Sequence, residues 1–412
     1  MPEFGLAEVG VFPLAMLAAA VGGGMLASGA ALAAGVFTLL FNAAAPFFGA
    51  RLLGRPRPAG ADGPWAPVTL IKPLKGEDAG LYDNLASFCR QDYPCFQLLF
   101  CLSTPDDPAL AVVERLRRDF PGVDMEIVVS KNRIGYNPKV NNMANAYPFA
   151  KYDLLLMSDS DIRVEPRFLQ RMAAPFADPG VGLVTSFYQA SGARGVWGHM
   201  EALSINAHFL PQALTAADFG MRFAMGAAMM VRRQAFEATG AFANLADHLA
   251  DDFWLGESVR EAGWRLELAH GVVDSVPDIA SGRLHFEHLV RWARTIRLCQ
   301  PVGFAASLIQ HGFSLLTARV LLCGPDALGL GLMAGIWAVK AAGAAYLGAR
   351  LGGRQPLASL WLLPLSEWFA FGAWLAGCGS DRVLWRGQLY DVEPRGRLVP
   401  VATPSLRQAV VD

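Results

Sequence analysis

Between residues 5 and 50 the chain reads GLAEVGVFPLAMLAAAVGGGMLASGAALAAGVFTLLFNAAAPFFGA, with one charged side chain, Glu8. A run of this kind is not the surface of a soluble fold. A membrane-crossing helix needs ~20 apolar residues, because lipid offers the backbone no hydrogen-bonding partner. The run is about twice that length, so it holds one long span with an interfacial lead-in, or a tight helical pair around Gly22-Gly23-Gly24. A cleaved signal peptide is not expected, since the run is too long and no basic segment precedes it. Residues 301 to 380 are similarly poor in charge, with candidate spans near 302–323, 326–348 and 357–378 and Arg319, Lys340 and Glu367 as the main exceptions. Residues 51 to 300 have the composition of an ordinary soluble enzyme, although the whole chain is 53% hydrophobic and only 17% charged, against about a quarter charged in soluble proteins. One water-exposed domain therefore lies between two membrane regions. Arg51, Arg55 and Arg57 follow the first region with no acid among them, and Arg350 and Arg354 separate the last two candidate spans. The positive-inside rule then puts the central domain in the cytoplasm.

The expected organisation is an N-terminal membrane region at 1–50, a soluble domain at 51–282, an amphipathic interface helix at 283–300, about three membrane helices at 301–380 and a cytoplasmic tail at 381–412. A net charge of −1 gives no global field for nucleic acid. The six cysteines form no Cys-x-x-Cys pair and read as packing residues in a reducing compartment. A transporter or non-catalytic nucleotide-binding membrane protein is the rival from another class. Transporters commonly carry polar residues within their spans and internal repeats; here the spans are nearly bare and no repeat is visible.

Strand and helix patterns alternate four times in the soluble part. Apolar strands are expected at Val68 to Ile71, at FQLLFCLST (96–104), at VDMEIVVS (123–130) and at DLLLMS (153–158). Helical patterns fall between them, one with Pro108 near its start, where proline suits a first turn. Continuous apolar strands separated by helices predict a doubly wound, mostly parallel sheet. Polar residues at the carboxyl ends of such strands share one crevice. Here those ends are Lys72 and Lys75 after the first strand, Asp106-Asp107 after the second and Asp159-Ser160-Asp161 after the fourth, with Lys139 before the third helix. Two carboxylates one residue apart repel unless a cation neutralises them; the plain alternative is a polar turn. Carboxylates holding a divalent cation beside lysines suit a nucleotide diphosphate.

The strings VTLIKPLKGEDAGLYDNLASFCRQDYP, DDPAL, NPKVNNM, AKYDLLLMSDSDIRV and ADDFWLG, followed by RWARTIR, resemble the ceramide glucosyltransferases, membrane-bound inverting enzymes with a GT-A nucleotide-sugar fold. The likeness runs from about Val68 to Arg297 and, more loosely, into the C-terminal spans and LWRGQLYDV. It implies a donor-binding role for Asp107 at the uridine and for Asp159 with Asp161 on Mg²⁺ or Mn²⁺ at the diphosphate. It implies that Asp252 is the catalytic base and that Arg291 and Trp292 end the (Q/R)-x-x-R-W motif. The first position of that motif departs, being His288. Lys72 and Lys139 join the expected donor site. The implied reaction moves glucose from UDP-glucose to the primary hydroxyl of ceramide at the inner membrane of a bacterium; transfer of N-acetylglucosamine to a hopanoid polyol shares nearly all these motifs.

Physical chemistry supports those roles independently. A carboxylate can take the proton of an attacking hydroxyl. A cation and the planar fork of Arg291 can stabilise a departing diphosphate. Trp292 either closes over the nucleotide or packs. Asp251 reads as a carboxylate at a helix start and is kept with His208 and Met225 as acceptor-side candidates. The run GMRFAMGAAMMVRR either packs a lipid tail or is core. His285 and His288, three apart, can share a helix face as metal ligands, but no third ligand is apparent. RLHFEHLVRWARTIRLCQPVGF reads as an amphipathic helix at the membrane surface.

Overall fold

The structure, a computed structural model, describes residues 24–55, 63–78, 80–352, 357–385, 388–393 and 396–401. Residues 1–23, with any first N-terminal crossing, and Arg57 and Arg354 lie outside the described residues.

The four expected strands form as β1 (Val68–Pro73), β2 (Phe96–Leu102), β3 (Asp124–Val129) and β4 (Leu154–Ser158), with β5 (Ile162–Arg163), β6 (Val181–Ala190), β7 (Ala228–Arg232) and β8 (Arg265–Ser275) completing one sheet. Its order is β3-β2-β1-β4-β7-β6-β8-β5. The first four strands are parallel, with Ile71 level with both Leu99 and Met157. Helices cover both faces, so β4 is buried throughout and its side chains feed two cores: Leu154 and Leu156 one, Leu155 and Met157 the other. Strand β7 runs antiparallel to β4 and β6, and β8 is parallel to β6 and antiparallel to β5. The reversal matters for the site. Because Ser158 pairs with Ala228, the segment entering β7 arrives where β4 ends.

Among the described residues three helices are long and apolar enough to cross a bilayer: Ser28–Leu53, Pro301–Cys323 and Ala327–Arg350. The first packs against the other two across small residues, with Gly35 against Leu316 and Gly343 against Pro46. The expected span at 357–378 is divided instead. A 3₁₀ turn, Leu357–Leu362, precedes a 16-residue helix, Leu363–Cys378, shorter than the ~20 residues of a full crossing. Pro364 in the first turn explains the break, since proline starts a helix but cannot continue one. A helix forms at Gly282–Cys299, over the segment expected at 283–300, its N-terminus capped by Ser281, and leads directly to the Pro301–Cys323 segment. A three-stranded antiparallel sheet, β9 (Arg382–Trp385), β10 (Gln388–Glu393) and β11 (Arg397–Pro400), docks beside residues 247–249.

Candidate active site

The turn after β4 carries Asp159 and Asp161 to the sheet's carboxyl edge. Lys139, in the second residue of the Pro138–Ala146 helix, lies 2.8 Å from Asp159 Oδ1 and 3.4 Å from Asp251 Oδ2. Burial opposes its charge, yet the flanking carboxylates Asp159 and Asp251 hold the ammonium well above its ordinary value. Asp251 and Asp252 open the Asp251–Glu261 helix, the dipole end that favours negative charge. Asp252 Oδ2 accepts from the Gly226 N–H at 2.7 Å, and Oδ1 from the Phe253 N–H at 2.8 Å. Gly226 is where these groups meet. A β-carbon there would sit 3.2 Å from Asp252 Oδ2, 3.4 Å from Lys139 Nζ and 3.6 Å from Asp159 Oδ2. A side chain there would crowd Asp252 and Lys139, so glycine lets the chain entering β7 pass this close without displacing them.

Asp161 accepts from Ser275 Oγ at 2.7 Å, at the end of β8. Burial, and then the charge of Asp159, push its carboxyl up to about 6, although the Ser275 hydrogen bond opposes the rise. Lys72 is fully buried behind this turn, donating to the Asp159 carbonyl at 2.6 Å and to Ser158 Oγ at 3.2 Å, with its ammonium 3.8 Å from the centre of the Phe88 ring. Burial lowers it to about 7, against the pull of Asp159 and Asp161. Lys72 therefore fixes the turn from beneath and does not line the cleft.

Above the turn lies a cavity of ≈ 850 Å³, walled by Asp159, Asp161, Lys139, Asp251, Asp252 and Met225, and on the far side by His288, Arg291 and Trp292 of the Gly282–Cys299 helix. Trp292 rests against Phe209 and edge-on to His288, with ring centres 6.2 and 4.7 Å away. The helix is held by a buried carboxylate. Glu201 Oε2 accepts from His285 Nδ1 at 2.8 Å, and Oε1 lies 2.9 Å from His288 Nδ1, off hydrogen-bond alignment. Burial would raise Glu201, but the histidines outweigh it and bring the carboxyl down to about 2. The two histidines thus share a helix face as their spacing suggested, around a carboxylate. Tyr188, stacked on Phe209 at 4.9 Å, faces the same space; burial, then Asp252, Glu201, Asp161 and Asp159, raise its phenol well above the usual value.

Not every expected residue arrives here. Asp107 does not line the cavity; its Oδ1 accepts from the Gly76 and Ala109 N–H groups and joins the loop after β1 to the start of the Ala109–Asp119 helix that follows β2. His208, in a π-helical turn at Ser204–Phe209, faces the membrane helices. Lys340 Nζ donates to its Nδ1 at 3.2 Å, so Nε2 carries the proton and donates to Ser366 Oγ at 3.0 Å. The methionine run divides: Met225 walls the cavity, Met229 and Met230 are core, and Met221 is exposed. Gly226, Glu201 and Tyr188 had no sequence signal of their own. The six cysteines are all free.

Four carboxylates and an ammonium gather at the carboxyl edge of this sheet, beneath a helix leading to long apolar helices, and the match to a family of such enzymes makes the protein a glycosyltransferase. The chain belongs to glycosyl transferase family 21, whose model matches residues 25–398. It is 28% identical over 229 residues to ceramide glucosyltransferase 3 of Caenorhabditis elegans, covering 55% of this chain and 50% of that one. Ceramide glucosyltransferase 1 of the same species is 30% identical over 203 residues, 49% of this chain and 44% of that one. The chain thus spans about half the length of these relatives. The ceramide glucosyltransferase of Candida albicans is 38% identical over 115 residues, 25% of this chain and 21% of that one. Among solved structures, a mannosyltransferase from Pyrobaculum calidifontis in complex with GDP-Man and Mn²⁺ overlaps with a TM-score of 0.48 at 20% identity, covering 85% of this chain and 98% of that one.

Proposed function

We propose that the protein transfers glucose, with inversion, from UDP-glucose to the primary hydroxyl of ceramide at the cytoplasmic face of the inner membrane. The observation that carries this reading is the meeting, in one cavity, of an acidic floor and the Arg291-Trp292 wall of a helix that leads into the bilayer. The nature of the relatives supports ceramide as the acceptor. In this reading residues 51–282 are the catalytic domain and 283–300 its membrane-side wall.

The residues divide the work. Asp252 takes the proton of the acceptor hydroxyl as that oxygen attacks the anomeric carbon. Two N–H groups hold its carboxylate and leave it facing the cavity. Arg291 receives the diphosphate, whose oxygens match a guanidinium fork. Lys139 adds positive charge on the opposite side. Asp159 and Asp161 would hold Mg²⁺ or Mn²⁺. Both offer oxygen ligands, and at Asp161 the Ser275 hydroxyl and the Lys72 charge do not outweigh burial and the repulsion of Asp159, which a cation would relieve. Among the described residues no cluster of three His, Cys, Asp or Glu could hold a metal. Two carboxylates suit a cation that takes its remaining ligands from phosphates and water. When bound, that cation would neutralise charge on the departing diphosphate.

The test is lipid mass spectrometry on sealed membrane vesicles given UDP-glucose and ceramide. Inverted vesicles should form glucosylceramide with Mn²⁺ or Mg²⁺, lose it in EDTA and regain it on adding metal. Right-side-out vesicles should form none. Glycosylation of an added hopanoid polyol in place of ceramide would overturn the acceptor, and full activity in EDTA would overturn the metal role.

A further inference from the structure

The chain between the Leu210–Asp218 helix and the cavity exposes apolar side chains that nothing in the glycosyl transfer uses. Phe219 is 69% exposed and Met221 59%. They occupy a rigid turn: the Gly220 N–H bonds the Ala217 carbonyl and the Met221 N–H bonds that of Ala216, both at 3.0 Å, with Gly220 at φ 93°. That is a helix-terminating Schellman turn, which ordinarily folds its last apolar residue back on the helix. Here the turn presents two large apolar groups outward.

Their neighbours say what covers them. The Leu210–Asp218 helix packs along the end of the first membrane helix, where Leu214 touches Gly49 and the buried Asp218 carboxylate accepts from Arg51 and Arg55. The Phe219 ring lies 5.1 Å from that of Phe48, and the adjoining Phe47 is 65% exposed. Phe47 and Phe48 belong to the Ser28–Leu53 span and stand just ahead of Arg51. The patch therefore continues a membrane-crossing surface at its aromatic and basic boundary. Aromatic rings followed by arginines are the side chains that settle at a bilayer–water interface. The charges fit that depth: Arg51, Arg55 and Arg222 outnumber the single Asp218, and Arg222 donates to the Ala217 and Met221 carbonyls with its stem beside the turn.

We infer that the Phe219-Gly220-Met221 turn is a second membrane anchor, inserted among the lipid headgroups and upper acyl chains beside Phe47 and Phe48. The insertion has a consequence for chemistry. Four residues after Met221 the chain reaches Met225 in the cavity wall and then Gly226, whose N–H holds Asp252. The anchor thus fixes the depth at which the cavity meets the bilayer, and so the depth at which a lipid hydroxyl is received.

Photocrosslinking of the full chain in nanodiscs tests this. With p-benzoylphenylalanine in place of Phe219, or of Met221, irradiation should give phospholipid adducts by mass spectrometry, as it should at Leu40 of the membrane helix. The same probe at the exposed Phe149 of the catalytic domain should give none. Dimers crosslinked through position 219 would assign the patch to a second copy of the chain, and absence of lipid adducts at both 219 and 221 would place it in water; either result overturns the anchor. A second readout rests on the lipid-acceptor reading. Phe219→Ser with Met221→Ser should raise the KM for a long-chain acceptor in vesicles several-fold, leaving the KM for UDP-glucose unchanged. Lipid adducts without any lipid glycosylation would keep the anchor and reject the acceptor.

Discussion

Asp251 and Asp252 are neighbours in the chain, yet only one is held by backbone N–H groups in a way that suits a base. The Asp251 carboxylate is paired with Lys139, whereas Asp252 accepts from Gly226 and Phe253. Burial, and then the charge of Asp251, raise Asp252 to about 6, with Lys139 and the two N–H groups pulling against the rise. A base acts only when ionised, so kcat/KM should climb as pH rises through about 6 and level off above it. Asp252→Asn should keep UDP affinity in calorimetry while turnover falls by roughly 10²- to 10⁴-fold, and the acid limb should vanish from the residual rate. Asp251→Asn should lose far less. Loss of UDP binding in Asp252→Asn would make the residue part of the donor site instead. The acidic pair drew notice through the likeness of ADDFWLG to the ceramide glucosyltransferases, and Asp251 alone read as a carboxylate at a helix start. Gly226 was not, because a glycine announces a close approach only when the chain it approaches is known, and Asp252 is 26 residues away.

Buried apolar strands and proline-led helices made the parallel half of the sheet legible, since β1 to β4 alternate regularly with helices. The second half was harder. Its strands pair antiparallel around β7, and nothing in AMMVR marks direction. The same blindness to long-range pairing hid Glu201, which lies 84 residues from His285 and is the partner that the spacing of the two histidines left unnamed. That carboxylate sets how the Gly282–Cys299 helix presents Arg291 and Trp292. Held near 2 when folded, against an ordinary 4.5, Glu201 contributes stability that is full above about 4.5 and is lost as pH falls towards 2. Glu201→Ala leaves both histidines without their shared partner and should cost ~3 kcal/mol, in the range measured for broken buried pairs. Thermal unfolding would show the loss at neutral pH, and the difference from wild type should shrink on acidification below 4.5. An equal deficit at every pH would mean that packing alone, and not the carboxylate's charge, is what Glu201 supplies.

Hydropathy alone divided the whole molecule into membrane and soluble parts, but it did not show how the parts are fastened together. The exceptions within the spans do that. Lys340 of the Ala327–Arg350 helix pairs with Glu367 of the Leu363–Cys378 helix, and both side chains are 3% exposed. Lys340 also donates to His208, whose turn contributes Phe209 to the cavity wall. A membrane-length helix, the shorter apolar helix beside it and the soluble domain therefore share one buried polar network. A buried ion pair gives little net stability, because desolvation cancels most of the attraction, but removing one partner strands a charge. Lys340→Met should then destabilise the protein by ~3–5 kcal/mol, seen as a large drop in Tm in detergent. Adding Glu367→Leu to the same chain should recover most of that loss, since no charge remains to be buried. A double variant no more stable than the single would show that the pair itself holds the helices. If the double variant is stable and turns over at the wild-type rate, the network is a fastening only. A stable double variant with a raised KM for the lipid acceptor would instead tie the network, through His208 and Phe209, to how the cavity receives lipid.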